Sequence, residues 1–150
     1  MTDDKGLETL QVWQKALAFT ISVNKEILPI LPAEEKWGLC NQIRRSSQSI
    51  PANIAEGYGR YYYQDAVRFS YIARGSLEET FSHLSLANKL GYVSQIAFDK
   101  FHKEIQDLRR MLNGYIAFLK KSKRGQNELG SYHHIQEDPP FFDAVTENYE

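Results

Sequence analysis

Pro51 sits inside a stretch whose spacing is otherwise helical, and that conflict narrows the possible folds more than any other feature of the chain. The stretch runs from Gln42 to Arg60 and reads QIRRSSQSIPANIAEGYGR. Ile43, Ser47, Ile50 and Ile54 recur at intervals of four, three and four, which stacks them on one helical face. Gln42, Ser46, Ser49, Asn53 and Glu56 recur in the same way and form a small, polar stripe beside it. Pro51 lacks the N–H that would bond the Ser47 carbonyl, and its ring crowds that carbonyl, so the spacing predicts a kinked helix. Gly57 and Gly59 are expected to stop it, since glycine takes the left-handed C′ position without a Cβ penalty. A helix with an apolar seam must bury that seam against other helices.

The rest of the chain supplies those partners. A first helix is expected from about Glu8 to Leu28, with Leu10, Trp13, Leu17, Ile21, Asn24 and Leu28 on one face. Pro29 and Pro32 bracket a turn that blocks its continuation. The second helix is expected to restart near Ala33, with Glu34 and Glu35 in its first turn, where the positive end of the helix dipole favours them. After a loop carrying Arg60 and three consecutive tyrosines, a third helix spans about Gln64 to Leu90. Gly75, with Ala73 and Ser76, reads there as a notch for close helix packing, and Gly91 as a C′ residue. Ser94 can cap a fourth helix that ends in Lys120 and Lys121, charges that complement the negative dipole end. No strand-like alternation competes. The expected fold is all-α, an antiparallel up-down-up-down four-helix bundle over residues 1–124, followed by an irregular acidic C-terminal tail over 125–150.

The Gln42–Arg60 run resembles the signature of the small bacterial four-helix-bundle proteins encoded in intervening sequences of 23S ribosomal RNA genes, whose relatives include the accessory variability proteins of diversity-generating retroelements. The resemblance continues in Leu10-Gln-Val-Trp-Gln-Lys15, Trp37-Gly-Leu39, Ile72-Ala-Arg-Gly-Ser-Leu77 and Arg110-Met-Leu-Asn-Gly114, and so covers about residues 7 to 121. It implies a four-helix bundle without a catalytic motif. From the retroelement branch it implies a basic pentameric barrel that binds nucleic acid and a reverse transcriptase.

Charge is distributed unevenly. The chain as a whole carries −1. Residues 125–150 hold six acidic residues and no lysine or arginine, which leaves residues 1–124 with 18 basic against 13 acidic residues, a net +5. Such a split points to a nucleic-acid-binding body or an acidic interaction tail. The tail is expected either to solubilise the protein or to fold back as an electrostatic mimic, with Phe141 and Phe142 as anchors beside Pro139 and Pro140. One cysteine, Cys40, precludes an intrachain disulfide and suits a reducing cytoplasm. Neither a secretory leader nor an apolar run of membrane-spanning length is visible, so a cytoplasmic location without membrane contact is expected.

Enzymatic chemistry finds little footing. His83 and His102 fall on different helices, and neither a His-x-x-x-His nor a Glu-x-x-His motif occurs, so no metal site is expected. Cys40 lies on or near an apolar face and reads as a small buried hydrophobe rather than a nucleophile. Glu78 and Glu79 are adjacent, so on a helix they diverge by about 100° and form no catalytic pair. Gly57-Tyr-Gly59 stands without a P-loop lysine. The sequence reads as a non-enzyme that requires no cofactor.

The basic residues are the more informative set. Arg44, Arg45, Arg60, Arg68, Arg74, Arg109, Arg110, Lys120 and Lys121 are the candidate nucleic-acid contacts, mostly arginines, which suit bidentate phosphate binding. Tyr58 and Tyr61 to Tyr63 interleave rings with Arg60, a combination able to stack on unpaired bases. The competing reading is a solvated face whose arginines pair with Glu56, Glu78 or Glu104. Gln42, Ser46, Ser49 and Asn53 are candidates for a subunit contact, since small polar residues let a neighbouring helix approach and cross-bond. The competing reading there is an exposed polar flank. Taken with the resemblance, these features predict an oligomer, pentameric by likeness, that binds RNA or DNA. The alternative is a protein-interaction scaffold, such as a reverse-transcriptase accessory subunit, with incidental nucleic-acid contact.

Overall fold

Pro51 does not interrupt its helix. In a computed structural model that describes residues 6–123, the helix runs unbroken from Leu39 to Tyr58 (α2) with Pro51 buried inside it. The Ser47 carbonyl, which Pro51 cannot serve, is served from outside: the Thr20 hydroxyl lies 2.9 Å from it and 3.0 Å from the Ala16 carbonyl of its own helix. All these groups are buried, so the hydroxyl's one proton stands where a backbone N–H would otherwise be missing.

Thr20 belongs to α1, Gln11–Ser22. The other elements are α3, Tyr63–Lys89, and α4, Gln95–Ser122. The expected first helix proves shorter and segmented. Leu7–Thr9 is a separate 3-10 turn and Leu10 is extended, so the α-helix opens only at Gln11. Beyond Ser22 the winding widens to a π turn, Val23–Ile27, where Asn24 Nδ2 takes the Thr20 carbonyl at 2.9 Å. A 3-10 turn at Leu28–Ile30 then closes the segment.

α2 also starts later than expected. Ala33–Glu35 is an isolated 3-10 turn, and the helix begins at Leu39. Glu35 acts on that start from outside, accepting the Leu39 N–H on Oε2 at 2.9 Å, while Tyr92 donates to its Oε1 at 3.4 Å.

The direction of the helices can be read from side-chain pairs. Ser49 meets Ser76 and Ser46 meets Thr80, so α2 and α3 pair in opposite directions. Arg74 meets Asn113 and Glu78 meets Arg109, so α3 and α4 do the same. α1 closes the core against α2 through Thr20 and against α4 through an edge-to-face pair, Phe19 on Phe101 at 6.2 Å. The core is apolar and continuous, with Ile43, Ile50 and Ile54 of α2 fully buried beside Leu77, Leu84, Ile105 and Leu108. Cys40 joins it as a buried free thiol.

Two glycines behave differently from expectation. Gly57 does not end α2, which passes through it to Tyr58. A Cβ there would come 3.0 Å from Phe69 Cβ and 3.1 Å from the Ala66 carbonyl, so the missing side chain serves close approach to α3. Gly75 does not pack at all. Ala73 and Ser76 face inward, but Gly75 is exposed, and a Cβ would meet nothing within 4 Å. Gly91 is the left-handed C′ glycine expected after α3, with φ of 82°, and Ser94 caps α4 by accepting the Ala97 N–H at 3.1 Å. The expected acidic tail over 125–150, with Phe141 and Phe142, lies outside the described residues.

The Thr20–Ser47 bond gives a test with an internal control. Thr20→Val should destabilise the protein by about 1 to 3 kcal/mol in urea titrations, because it strands a buried carbonyl. In a Pro51→Ala background the new N–H reaches the Ser47 carbonyl, so the same substitution should cost about 1 kcal/mol less. Identical costs in both backgrounds would show that the hydroxyl does not replace the missing N–H.

Candidate nucleic-acid interface

The polar stripe of α2 turns inward, toward α3 of the same chain. Ser46 is buried and Ser49 is half-buried. Ser49 Oγ lies 2.8 Å from Ser76 Oγ, and Thr80 Oγ1 lies 2.9 Å from Ser46 Oγ, which donates onward to the Ile43 carbonyl at 3.3 Å. Asn53 Nδ2 braces this line, reaching the Ser49 carbonyl and Oγ at 2.8 Å each. Small polar residues do let a neighbouring helix approach and cross-bond, but for Ser46 and Ser49 that helix is α3. Of the four candidate subunit contacts only Gln42 is exposed; Asn53 is half-buried.

With the seam directed inward, the basic residues remain on the rims, and they fall into separate groups. Arg44 and Arg45 lie in the first half of α2, about 20 Å along the helix axis from Tyr58 at 1.5 Å per residue. Arg45 is exposed, Arg44 is half-buried, and neither makes an ion pair among the described residues. Arg109 is engaged, holding Glu78 through Nε at 2.5 Å and Nη2 at 3.0 Å. Arg110 makes only a long contact, 3.5 Å, to Asp107. Thus the pairing with Glu78 and Glu56 that was expected of a solvated face does occur, at Arg109 and at Arg60, whose Nη2 lies 2.8 Å from Glu56.

The remaining candidates form two groups on the first half of α3, one facing the end of α2 and one facing α4. Arg60 and Arg68 share one ring, Phe69, at 5.4 and 5.6 Å from its centroid. Arg74 and Lys120, from different helices, share a second ring, Tyr71, at 4.8 and 5.3 Å. Each cation–ring contact at an exposed site stabilises by about 0.5–1 kcal/mol and, more usefully, holds a long basic side chain in place. Arg74 is fixed further by Asn113 Oδ1 at 3.1 Å. Lys121 and Lys123 are exposed beside them, and Lys123 takes a left-handed backbone at the close of α4.

Tyrosines fill the same end. Tyr61 and Tyr62 meet edge to face at 5.4 Å. Behind them a cavity of about 250 Å³ is walled by Tyr58, Tyr61, Tyr63, Tyr115 and Phe118, with Arg60 at its edge. Burial, and secondarily the neighbouring Tyr58, raise the Tyr115 phenol above its ordinary range, so this ring stays neutral at physiological pH. Tyr115 and Phe118, on α4, were not singled out from sequence as ligand contacts; Tyr115 looked like one more core residue in the helical spacing. A larger hollow of about 510 Å³ lies on the far side of Leu10 and Tyr115, near Val12 and Met111, and has no charged residue in its wall.

Among the described residues, no cluster of three or more His, Cys, Asp or Glu is placed to hold a metal ion, and no helix is long and apolar enough to cross a membrane. His102 stacks on Phe81 at 4.9 Å and His83 lies 3.4 Å from Glu79.

No curated protein matches this sequence. Among solved structures, one similar chain is a protein of unknown function from the S23 ribosomal protein family of Bacteroides thetaiotaomicron, with a TM-score of 0.65 and 25% sequence identity. That alignment covers 70% of this chain and 97% of the other. The profile of the family described as 23S rRNA-intervening sequence protein matches residues 8–114, from the 3-10 turn before α1 well into α4. The chain is therefore a member of the 23S rRNA-intervening sequence protein family.

Proposed function

We propose that this protein is a non-enzymatic, oligomeric bundle that binds nucleic acid through the basic, tyrosine-rich end formed by the close of α2, the start of α3 and the close of α4. The observation that carries this reading is the paired stacking at that end, Arg60 and Arg68 over Phe69 with Arg74 and Lys120 over Tyr71. The two rings stand on opposite flanks of α3, Phe69 toward α2 and Tyr71 toward α4. The four cations therefore form two fixed pairs, and fixed guanidinium groups lose less freedom when they meet phosphate. Arg44 and Arg45 form a second patch on α2, further from the rings. The reading accords with the resemblance to retroelement accessory proteins and with the family's link to ribosomal RNA genes.

The oligomer draws support from α3. Ile72 is 44% exposed, and Gly75, one turn on, has open space above it. An apolar side chain beside an uncovered glycine is suited to receive a helix from a second copy. A scaffold for another protein, such as a reverse transcriptase, is the second reading. Its support is the opposite end of the bundle, where Trp37 is 82% exposed and Ile96 is 85% exposed, since large exposed anchors of this kind commonly seat a protein partner.

Binding to a generic RNA or DNA should weaken steeply as salt rises, because each phosphate neutralised releases condensed counterions. Arg68→Glu combined with Lys121→Glu should lower affinity about tenfold or more and flatten the salt slope by about 1 to 2. Stability should fall by no more than about 0.5–1 kcal/mol, from the lost Arg68–Phe69 contact. Arg44→Glu with Arg45→Glu is the comparison. A larger loss in that variant would relocate the site to the middle of α2.

Light scattering on the full-length protein should return a multiple of 17.4 kDa. Ile72→Glu with Gly75→Glu should reduce the mass toward one chain while leaving the helical circular dichroism intact. A mass of one chain for the unaltered protein over a wide concentration range would contradict the oligomer.

A further inference from the structure

A nucleotide is a flat aromatic base joined to an anion, and the tyrosine-lined cavity has the complementary chemistry. Five of its eleven lining residues are aromatic: Tyr58, Tyr61, Tyr63, Tyr115 and Phe118. Arg60 is the single charged residue in the lining, and it also bonds Glu56 at 2.8 Å outside the lining, so a phosphate would have to share or displace that carboxylate. Ser122 is part of the wall, and its sequence neighbours Lys121 and Lys123 are exposed at the same end of α4. Tyr115 stays neutral there. Phe118 is 64% exposed and Tyr61 48% exposed, a large uncovered aromatic surface for a chain of this size.

We propose that this cavity is a pocket for one unpaired nucleobase, with the flanking phosphates held by Arg60 and the lysines at the close of α4. This rests on the nucleic-acid reading above and narrows it. A paired base is stacked on its neighbours above and below and offers only its edges. An unpaired base has free faces, and those are what aromatic side chains stack on. The preferred ligand is therefore a looped, bulged or single-stranded segment rather than a uniform duplex. Stacking is indifferent to base identity, so the pocket selects unpaired structure more than sequence. Burying one base against several rings also accounts for aromatic residues arriving from three separate places, the α2–α3 connection, the first turn of α3 and the last two turns of α4.

A segment of this chain outside the described residues carries related chemistry. Pro139-Pro140-Phe141-Phe142 sets two rings among acidic residues and follows α4, whose Ser122 is part of the cavity wall. It is the competing occupant that the experiment must separate from a base.

The test uses the full-length protein, a labelled unstructured strand of about 12 nucleotides, and a blunt duplex of the same length, at one fixed low salt concentration. Phe118→Ala with Tyr61→Ala removes two exposed rings and should leave the circular dichroism unchanged. Single-strand affinity should fall about tenfold, while duplex affinity changes less than twofold. Equal losses on both probes, or no loss on the single strand, would overturn the pocket while leaving the nucleic-acid reading standing. Failure of the unaltered protein to bind either probe would overturn both. If the double variant leaves single-strand binding unchanged but shifts the NMR resonances of Phe141 and Phe142, the cavity belongs to the chain's own tail.

Discussion

The contact between α2 and α3 depends on side chains that are small enough to let the two backbones approach and polar enough to bond once they have. Gly57 against Ala66 and Phe69 sets the approach at one end of the contact. Ser49 with Ser76 and Ser46 with Thr80 continue it along the helices. Each buried hydroxyl pair adds only about 1 kcal/mol net, but a hydroxyl left without its partner would cost about 1–3 kcal/mol. The seam thus fixes register more strongly than it adds stability. Sliding α3 by one turn would break both interhelical bonds and leave the Ser76 hydroxyl without Ser49, while Thr80 and Ser46 would keep carbonyls of their own helices. Pro51 lies in the middle of the same helix, and its deficit is made good from α1 through Thr20. One helix is therefore held on two sides by specific polar bonds inside an otherwise apolar core.

This arrangement determines where function can reside. Because the small polar stripe is turned against α3, it is not available along its whole length for ligands or other chains. Of the charged and aromatic residues that remain outside, the tyrosines and Arg60 lie where α2 passes into α3, beside the close of α4, while Arg44, Arg45 and Trp37 lie elsewhere. The loop joining α2 to α3 is short, Gly59 to Tyr62, so the consecutive tyrosines have nowhere to spread and stay beside the last turns of α4. Rings that anchor cations, Phe69 and Tyr71, stand on the first turns of α3 close by. The tight seam and the crowded aromatic end are consequences of the same close approach.

Much of this was legible in the sequence. The period of apolar residues located the four helices but put the buried face of the first helix on Leu10, Trp13, Leu17 and Ile21, where Val12, Ala16, Phe19 and Val23 are buried. Ser94 and Gly91 marked a cap and a turn for local reasons that tertiary packing did not override. Positions decided by neighbours distant in sequence were not legible. Gly57 and Gly75 look alike on paper, each a glycine in a helical run, yet one meets the backbone of α3 and the other faces open space. Glu35 looked like a first-turn acid, but it caps from outside a helix that starts four residues later. Thr20 carried no signal, since its partner is a carbonyl 27 residues away made needy by a proline. The same limit applies to the interface. Spacing showed that arginines and tyrosines were numerous, but not that Arg109 is bound to Glu78 or that Tyr115 and Phe118 complete a cavity begun by the α2–α3 loop.

The central claim is that the packed seam and the ligand-binding surface are different parts of the molecule. Hydrogen–deuterium exchange of the full-length protein, alone and saturated with an RNA hairpin carrying a single-stranded arm, tests this most directly. The account predicts that RNA slows exchange in the loop from Gly59 to Tyr62 and in the last turn of α4, through Lys123. Exchange across the Ser46–Ser49 segment should be slow with or without RNA, because those groups are already bonded to α3. Slowing confined to the segment around Arg44 and Arg45, with the tyrosine end unaffected, would contradict it.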